Sequence, residues 1–174
     1  MIRAVWKIIR GCCRSPIVLL VLFSHLASAE DTTRQAEIAR RGAQVMPFSL
    51  EKTQHQFTKT DSGGIQRVIS RAPLNKTEIN LIRQHLEQLA KEFKRGDFSG
   101  PETIHGYAMP GLATLRSAKP GTLNITYSLE PLGARLSLDS KDAVLIKAVH
   151  EWFDAQLHDH GHDAREMHCP HHRP

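Results

Sequence analysis

Two turn signals, each set between strand-like runs and each followed by a helical pattern, restrict the folds open to this chain more than any other feature. Asp61-Ser-Gly-Gly64 separates Gln54–Thr60 from Ile65–Ser70, and Glu130-Pro-Leu-Gly133 separates Leu123–Leu129 from Ala134–Leu138. Gly and Pro clusters between β-prone segments mark hairpins. In the first hairpin, period-two alternation puts His55 and Phe57 on one face and Gln54 and Gln56 on the other.

Each hairpin leads into a helix. Asn75 can cap free backbone N–H groups, and Glu78 stands three residues on, as in a capping box. Ile79, Ile82, Leu86, Leu89 and Phe93 then recur at steps of three and four, which makes one apolar stripe ended by Gly96. The second helix is expected to take Asp139 or Ser140 as its cap, to bury Leu145, Val149, Trp152, Phe153 and Leu157, and to stop at Gly161. Placing His85 on His150, an offset of 65, aligns Phe93 with His158 and Gly96 with Gly161. The order predicts an α+β fold: two hairpin-helix (ββα) units forming a four-stranded antiparallel sheet with two helices on one face. Between the units, Asp97–Lys119 is rich in Gly and Pro, and Pro110 can open a short helix through Arg116.

The first 29 residues read as a signal peptide. Arg3, Lys7, Arg10 and Arg14 precede the apolar run Pro16–Phe23, and Ala27-Ser28-Ala29 is an A-x-A cleavage site. Cleavage after Ala29 predicts a periplasmic or secreted product. The apolar run is shorter than the ~20 residues a membrane span needs, so no stable membrane insertion is expected. Residues 30–47 form an N-terminal helix or arm broken at Met46-Pro47-Phe48; 48–160 form a single α+β domain; 161–174 form a flexible His-rich tail.

Loss of the leader changes two bounds. The whole chain carries a formal +5, but removing four of its 23 basic side chains leaves 19 against 18 acidic ones. No nucleic-acid footprint is expected from that balance. Cys12 and Cys13 also leave, so Cys169 has no intrachain partner and the remaining ~145 residues must be held by their core.

Of 11 histidines, seven lie from position 150 onward: His150, His158, His160, His162, His168, His171 and His172. Neutral imidazole is the commonest side-chain ligand of late transition metals. His150, Asp154 and His158 are four apart and stack on one helix face, a step that His162 repeats. Met167 and Cys169 add soft donors, while Asp159, Asp163 and Glu166 add oxygens. His105 and Met109 sit in the Gly- and Pro-rich connection, where function tends to collect, within reach of a folded-back tail. The pattern points to a metal ion partner, copper first by the Irving–Williams order with zinc or nickel as alternatives, in homeostasis or resistance. Taken singly, His85 and His150 read as helix-flank packing or hydrogen-bonding residues, and Trp152 and Phe153 as core. Two other readings stand beside metal binding. One is an envelope interaction module that engages another protein and carries the tail incidentally. The other is a small hydrolase with an unrecognised site. No G-x-S-x-G, H-E-x-x-H, P-loop or dinucleotide fingerprint is present, which weighs toward a binder rather than an enzyme.

Six segments carry a resemblance: Val45-Met-Pro-Phe48, Thr53-Gln-His-Gln-Phe57, Gly96-Asp-Phe-Ser99, Ile104-His-Gly106, Met109-Pro-Gly-Leu112 and His150-Glu-Trp-Phe-Asp-Ala-Gln-Leu-His-Asp-His-Gly161. Over about Val45 to Gly161 the chain resembles a family of small exported proteobacterial proteins, some of them labelled aspartate carbamoyltransferase. The residues do not support that label, because no Ser-Thr-Arg-Thr phosphate loop is present and Thr32-Thr-Arg34 lies in another context. The resemblance implies a single α+β domain.

Overall fold

The structure, a computed structural model, describes residues 17–168, with side chains from 30 onward. Ile17–Val45 form helix α1, which runs unbroken through the predicted cleavage point. Then follow β1 (Thr53–Thr60), β2 (Gly63–Ser70), α2 (Lys76–Phe93), α3 (Ser99–His105), α4 (Leu112–Arg116), β3 (Leu123–Glu130), β4 (Gly133–Ser140) and α5 (Ala143–His160). After a 3-10 turn over Gly161–Asp163, Ala164–Glu166 form β5. None of the described helices is long and apolar enough to cross a membrane.

The fold is α+β, and its sheet differs from the sequence expectation. The strand order is β3-β4-β2-β1-β5: four antiparallel strands as expected, plus a fifth that pairs parallel with β1. Gly161–Glu166, read in sequence as the start of a flexible tail, is therefore ordered. His55 pairs with Ala164, and the Met167 N–H donates to the Phe57 carbonyl at 2.7 Å. An exposed edge of β1 supplies unpaired backbone groups, and a short segment satisfies them without strong strand propensity of its own.

Local signals account for most element ends. Asn75 Oδ1 accepts from the Glu78 N–H, which caps α2. The Glu78 carboxylate does not return to Asn75 as a capping box would; it accepts from the Ser49 N–H at 2.6 Å and ties the entry of β1 to α2. The cap of α5 is Asp142, whose carboxylate accepts from the Val144 N–H, because Asp139 and Ser140 stay paired in β4. Gly161 ends α5 at φ +51, a value glycine adopts without strain. Gly111 (φ +74) precedes α4; a Cβ there would lie 2.1 Å from the Ala148 carbonyl, so α4 packs against α5 only because this residue has no side chain.

The two hairpin–helix units repeat at a different offset from the one the histidines gave. Thr53, Gly63 and Lys76 open β1, β2 and α2, while Leu123, Gly133 and Ala143 open β3, β4 and α5. Strand counterparts are thus 70 residues apart and helix counterparts 67 apart. Gln66 pairs directly with its own counterpart Leu136, on the central β2–β4 ladder. Both apolar stripes face the same side of the sheet, around Phe57, Val68, Leu136 and Leu138. The connection closes one end of this core. Phe98 stacks on Phe93 with centroids 4.4 Å apart, and both meet the edge of Trp152. Each such pair adds ~0.5–1.5 kcal/mol beyond its buried area.

Candidate functional site: a buried histidine pocket

The repeat exposes an asymmetry in the core. Where the second unit and α2 carry Ile125, Leu136, Leu89 and Phe93, the first unit and α5 carry His55, Gln66, Gln156 and His160 at the corresponding places. All four polar side chains are buried. Four polar groups at positions that an equivalent half fills with hydrocarbon are costly to desolvate, and call for an explanation other than packing.

They converge on one cavity of about 40 Å³, which His85, His105, Met46 and Trp152 also line. That volume admits roughly two or three waters or a single ion. It lies far below the ~300–1,000 Å³ of a typical small-molecule pocket. The rings of His55 and His160 stack at 4.9 Å and 9°, and His105 meets His160 edge-on at 5.0 Å and 73°. Three polar atoms bordering the cavity are buried without a hydrogen-bond partner among the described residues: His55 Nδ1, Gln66 Oε1 and Trp152 Nε1. Together they offer an imidazole nitrogen, an acceptor and a donor, so the cavity suits a small polar or cationic guest.

One of the imidazoles is oriented from behind. Asp159, on the last turn of α5, accepts from His105 Nδ1 at 2.8 Å. Arg34 of α1 grips the same carboxylate with two bonds, Nε to Oδ1 at 2.5 Å and Nη2 to Oδ2 at 2.7 Å, and reaches the His105 carbonyl at 3.3 Å. Burial alone would raise the Asp159 pKa. Hydrogen bonds from His105 and Arg34, with the positive charge of Arg34, outweigh it and hold the carboxyl well below the usual range. An ionised Asp159 can only accept, so His105 Nδ1 carries a proton and its Nε2 is the other ring nitrogen available for ligation.

Burial keeps the other rings neutral. His55 is pushed down to about 3, first by desolvation and then by electrostatic repulsion with His85, His105 and Arg71, which would meet any proton it gained. Desolvation pushes His160 well below its ordinary value, with His55 and His105 adding to it and Asp159 opposing. His85 is lowered by burial, against Glu92. His160 also lines a separate cleft of about 340 Å³ with Thr32, Gln35 and Asp159, so it stands between the buried cavity and the α1 surface.

Of the sequence-predicted ligands, His105 and His160 are brought together here. Met109 is buried but does not line the cavity. His150 Nε2 lies 3.0 Å and 2.9 Å from the carbonyls of Thr60 and Gly63, which makes it a donor that ties α5 to the first turn. Asp154 pairs with Lys59, and His158 meets Asp31 at 3.2 Å, so the His150–Asp154–His158 face does not close on one ion. The step from His158 to His162 is broken at Gly161; His162 is exposed beside Asp163. Met167 and His168 are exposed, while Cys169, His171 and His172 lie outside the described residues. No preassembled group of three or more His, Cys, Asp or Glu metal ligands occurs among the described residues. From sequence, no site role falls to His55, Gln66, Gln156 or Arg34, and His85 reads there as a helix-flank residue. The alternation that sets His55 and Phe57 on one face is the one signal that bears on the pocket.

A polar orphan in a core has a signed consequence. Gln66→Leu matches its counterpart Leu136 and removes a buried, unpaired Oε1, so the variant is expected to be more stable by ~1–2 kcal/mol. Urea midpoints at constant m check this; a loss of stability would mean that Gln66 is satisfied by an occupant of the cavity.

No family model matches the chain, and no curated protein or solved structure is significantly similar to it.

Proposed function

We propose that this is an exported transition-metal-binding protein, with copper as the first candidate and zinc or nickel behind it, and that the folded domain binds the ion in the histidine pocket rather than in the tail alone. The observation that carries the reading is the cavity on which three imidazoles meet, one held from behind by a carboxylate. A histidine whose far nitrogen donates to a carboxylate is the usual arrangement around protein-bound metals, because the carboxylate fixes the ring and raises its basicity. His55, His105 and His160 are the ligands of this reading. Parallel rings do not converge on one point, so His55 or His160 turns about χ2 to bind. A cavity of about 40 Å³ holds an ion but leaves no room beside it for a hydrolase substrate, so this pocket favours binding over hydrolysis.

The test is titration of the purified protein with Cu(I), Cu(II), Zn(II) and Ni(II), following Trp152 fluorescence and stoichiometry. Three proteins are compared: wild type, a chain lacking residues 168–174, and His160→Phe, which installs the residue found at the matching place in α2. One tight equivalent should survive truncation and disappear in His160→Phe. Binding lost on truncation would assign it to the tail, and weak binding throughout would favour the interaction module.

A further inference from the structure

Helices α2 and α5 cover one face of the sheet, and no described helix covers the other. On the uncovered face one row of side chains crosses the strands. The register sets Arg165 of β5 beside Gln56 of β1, Gln56 beside Arg67 of β2, and Arg67 directly opposite Arg135 of β4, with Ser128 of β3 at the end. Neighbouring strands are ~4.8 Å apart, so three guanidinium-bearing residues fall within three strand spacings.

Like charges directly opposite in a ladder are destabilising. Only Glu130 stands against the Arg67–Arg135 pair, with its Oε1 3.2 Å from Arg67 Nη2 and 3.7 Å from Arg135 Nε. The Nε–H groups of Arg67 and Arg135 are buried and have no hydrogen-bond partner among the described residues. Arg165 is exposed, with no ion pair among the described residues. The row therefore holds three cations against one anion, with two donors unused. Ile65 and Ile69, two positions either side of Arg67, share the face and are only partly buried.

We propose that this uncovered sheet face docks an acidic segment of a partner protein, whose carboxylates take the forks of Arg67, Arg135 and Arg165. The cations are all arginine, whose planar fork fits carboxylates in pairs. Arginine beside partly buried aliphatics is the composition of protein interfaces, where lysine is depleted. A membrane surface is recognised by larger basic clusters with apolar residues that insert, and this row has neither lysine nor an aromatic. The inference is independent of the metal reading.

The probe is a synthetic Glu/Asp-rich peptide, with inorganic phosphate and phosphatidylglycerol vesicles in parallel, mapped by amide shifts of the full-length protein in low salt. The peptide should move the amides of Gln56, Arg67, Arg135 and Arg165 and leave α2 in place. Arg67→Gln/Arg135→Gln/Arg165→Gln should weaken it at least ~10-fold, while Lys76→Gln/Lys119→Gln/Lys141→Gln, which removes the same charge elsewhere, should cost less than ~3-fold. Arg165→Gln alone, at an exposed site, should give a loss of ~3-fold or more and keeps the test readable if the triple variant fails to fold. Shifts confined to other surfaces, equal losses in the control, tighter binding of vesicles or phosphate at these amides, or no peptide binding would each overturn the proposal.

Discussion

Acidifying the metal-free protein should unfold it cooperatively at roughly pH 4–5, through a loss of stability that begins near ~6.5, well above the range where exposed carboxylates titrate. The cause is the histidine pocket. His55, His85 and His160 all have folded-state values depressed by burial, and an unfolded imidazole titrates at ~6.5. Between the two values the unfolded chain holds protons that the folded chain refuses. Stability is therefore complete above ~6.5, and falls with pH until the folded-state value is reached, about 3 for His55. Each such proton is worth ~1.4 kcal/mol per pH unit, so His55 and His160 together give a slope approaching ~3 kcal/mol per unit, to which His85 adds with the same sign. A domain of ordinary stability, ~5–15 kcal/mol, is exhausted within a few units. The groups facing these rings are His105, Arg71, Asp159 and Glu92; the first two oppose protonation, and the carboxylates favour it. Asp159 and Glu37, both held low by hydrogen bonds, act with the same sign but further into acid. Urea midpoints at pH 7, 6 and 5 measure the slope, and His160→Phe should reduce it by about one proton. Equal stability at pH 7 and pH 5 would show that the rings are not buried as described.

That pocket was the part of the molecule least legible in the sequence. Hairpins and helix stripes are written locally: the turn at Asp61–Gly64, the Asn75 cap and the Ile79-to-Phe93 stripe each depend on residues a few positions apart. The short helix expected after Pro110 is present as α4 for the same reason. What failed was non-local. Glu78 has the right spacing for a capping box, yet Ser49, 29 residues away, is its partner. β5 exists because an edge of β1 was open, a fact that no property of Ala164-Arg-Glu166 reveals. Histidine density drew attention to the C-terminus, whereas the cavity gathers His55, His85, His105 and His160, which come from four different elements. Of the C-terminal histidines only His160 lines the cavity, and His105 joins it from the Gly- and Pro-rich connection. Arg34 and Asp159 are separated by 125 residues, and no spacing rule relates them.

The Arg34–Asp159–His105 linkage should be the most sensitive polar contact in the fold. Asp159→Asn keeps the shape but removes the charge, so the amide can accept from only one of two donors and turns its NH2 toward the other. Removing one partner of a buried pair costs ~3–5 kcal/mol when both groups are enclosed. Here the Asp159 and His105 side chains are 3% and 2% exposed, but that of Arg34 is 46% exposed and can turn to water. The expected loss is accordingly ~2–3 kcal/mol. A double-mutant cycle with Arg34→Met isolates the direct coupling, which should be at least ~1 kcal/mol; strict additivity would mean the bidentate contact is not made in solution. The same variant separates support from ligation. If Asp159 holds the His105 ring for a metal, Asp159→Asn should retain one binding equivalent but weaken it ~10–100-fold, while His105→Ala abolishes it. Loss of stability with unchanged metal affinity would leave Arg34 and Asp159 as a latch between α1 and α5 and remove His105 from the binding site.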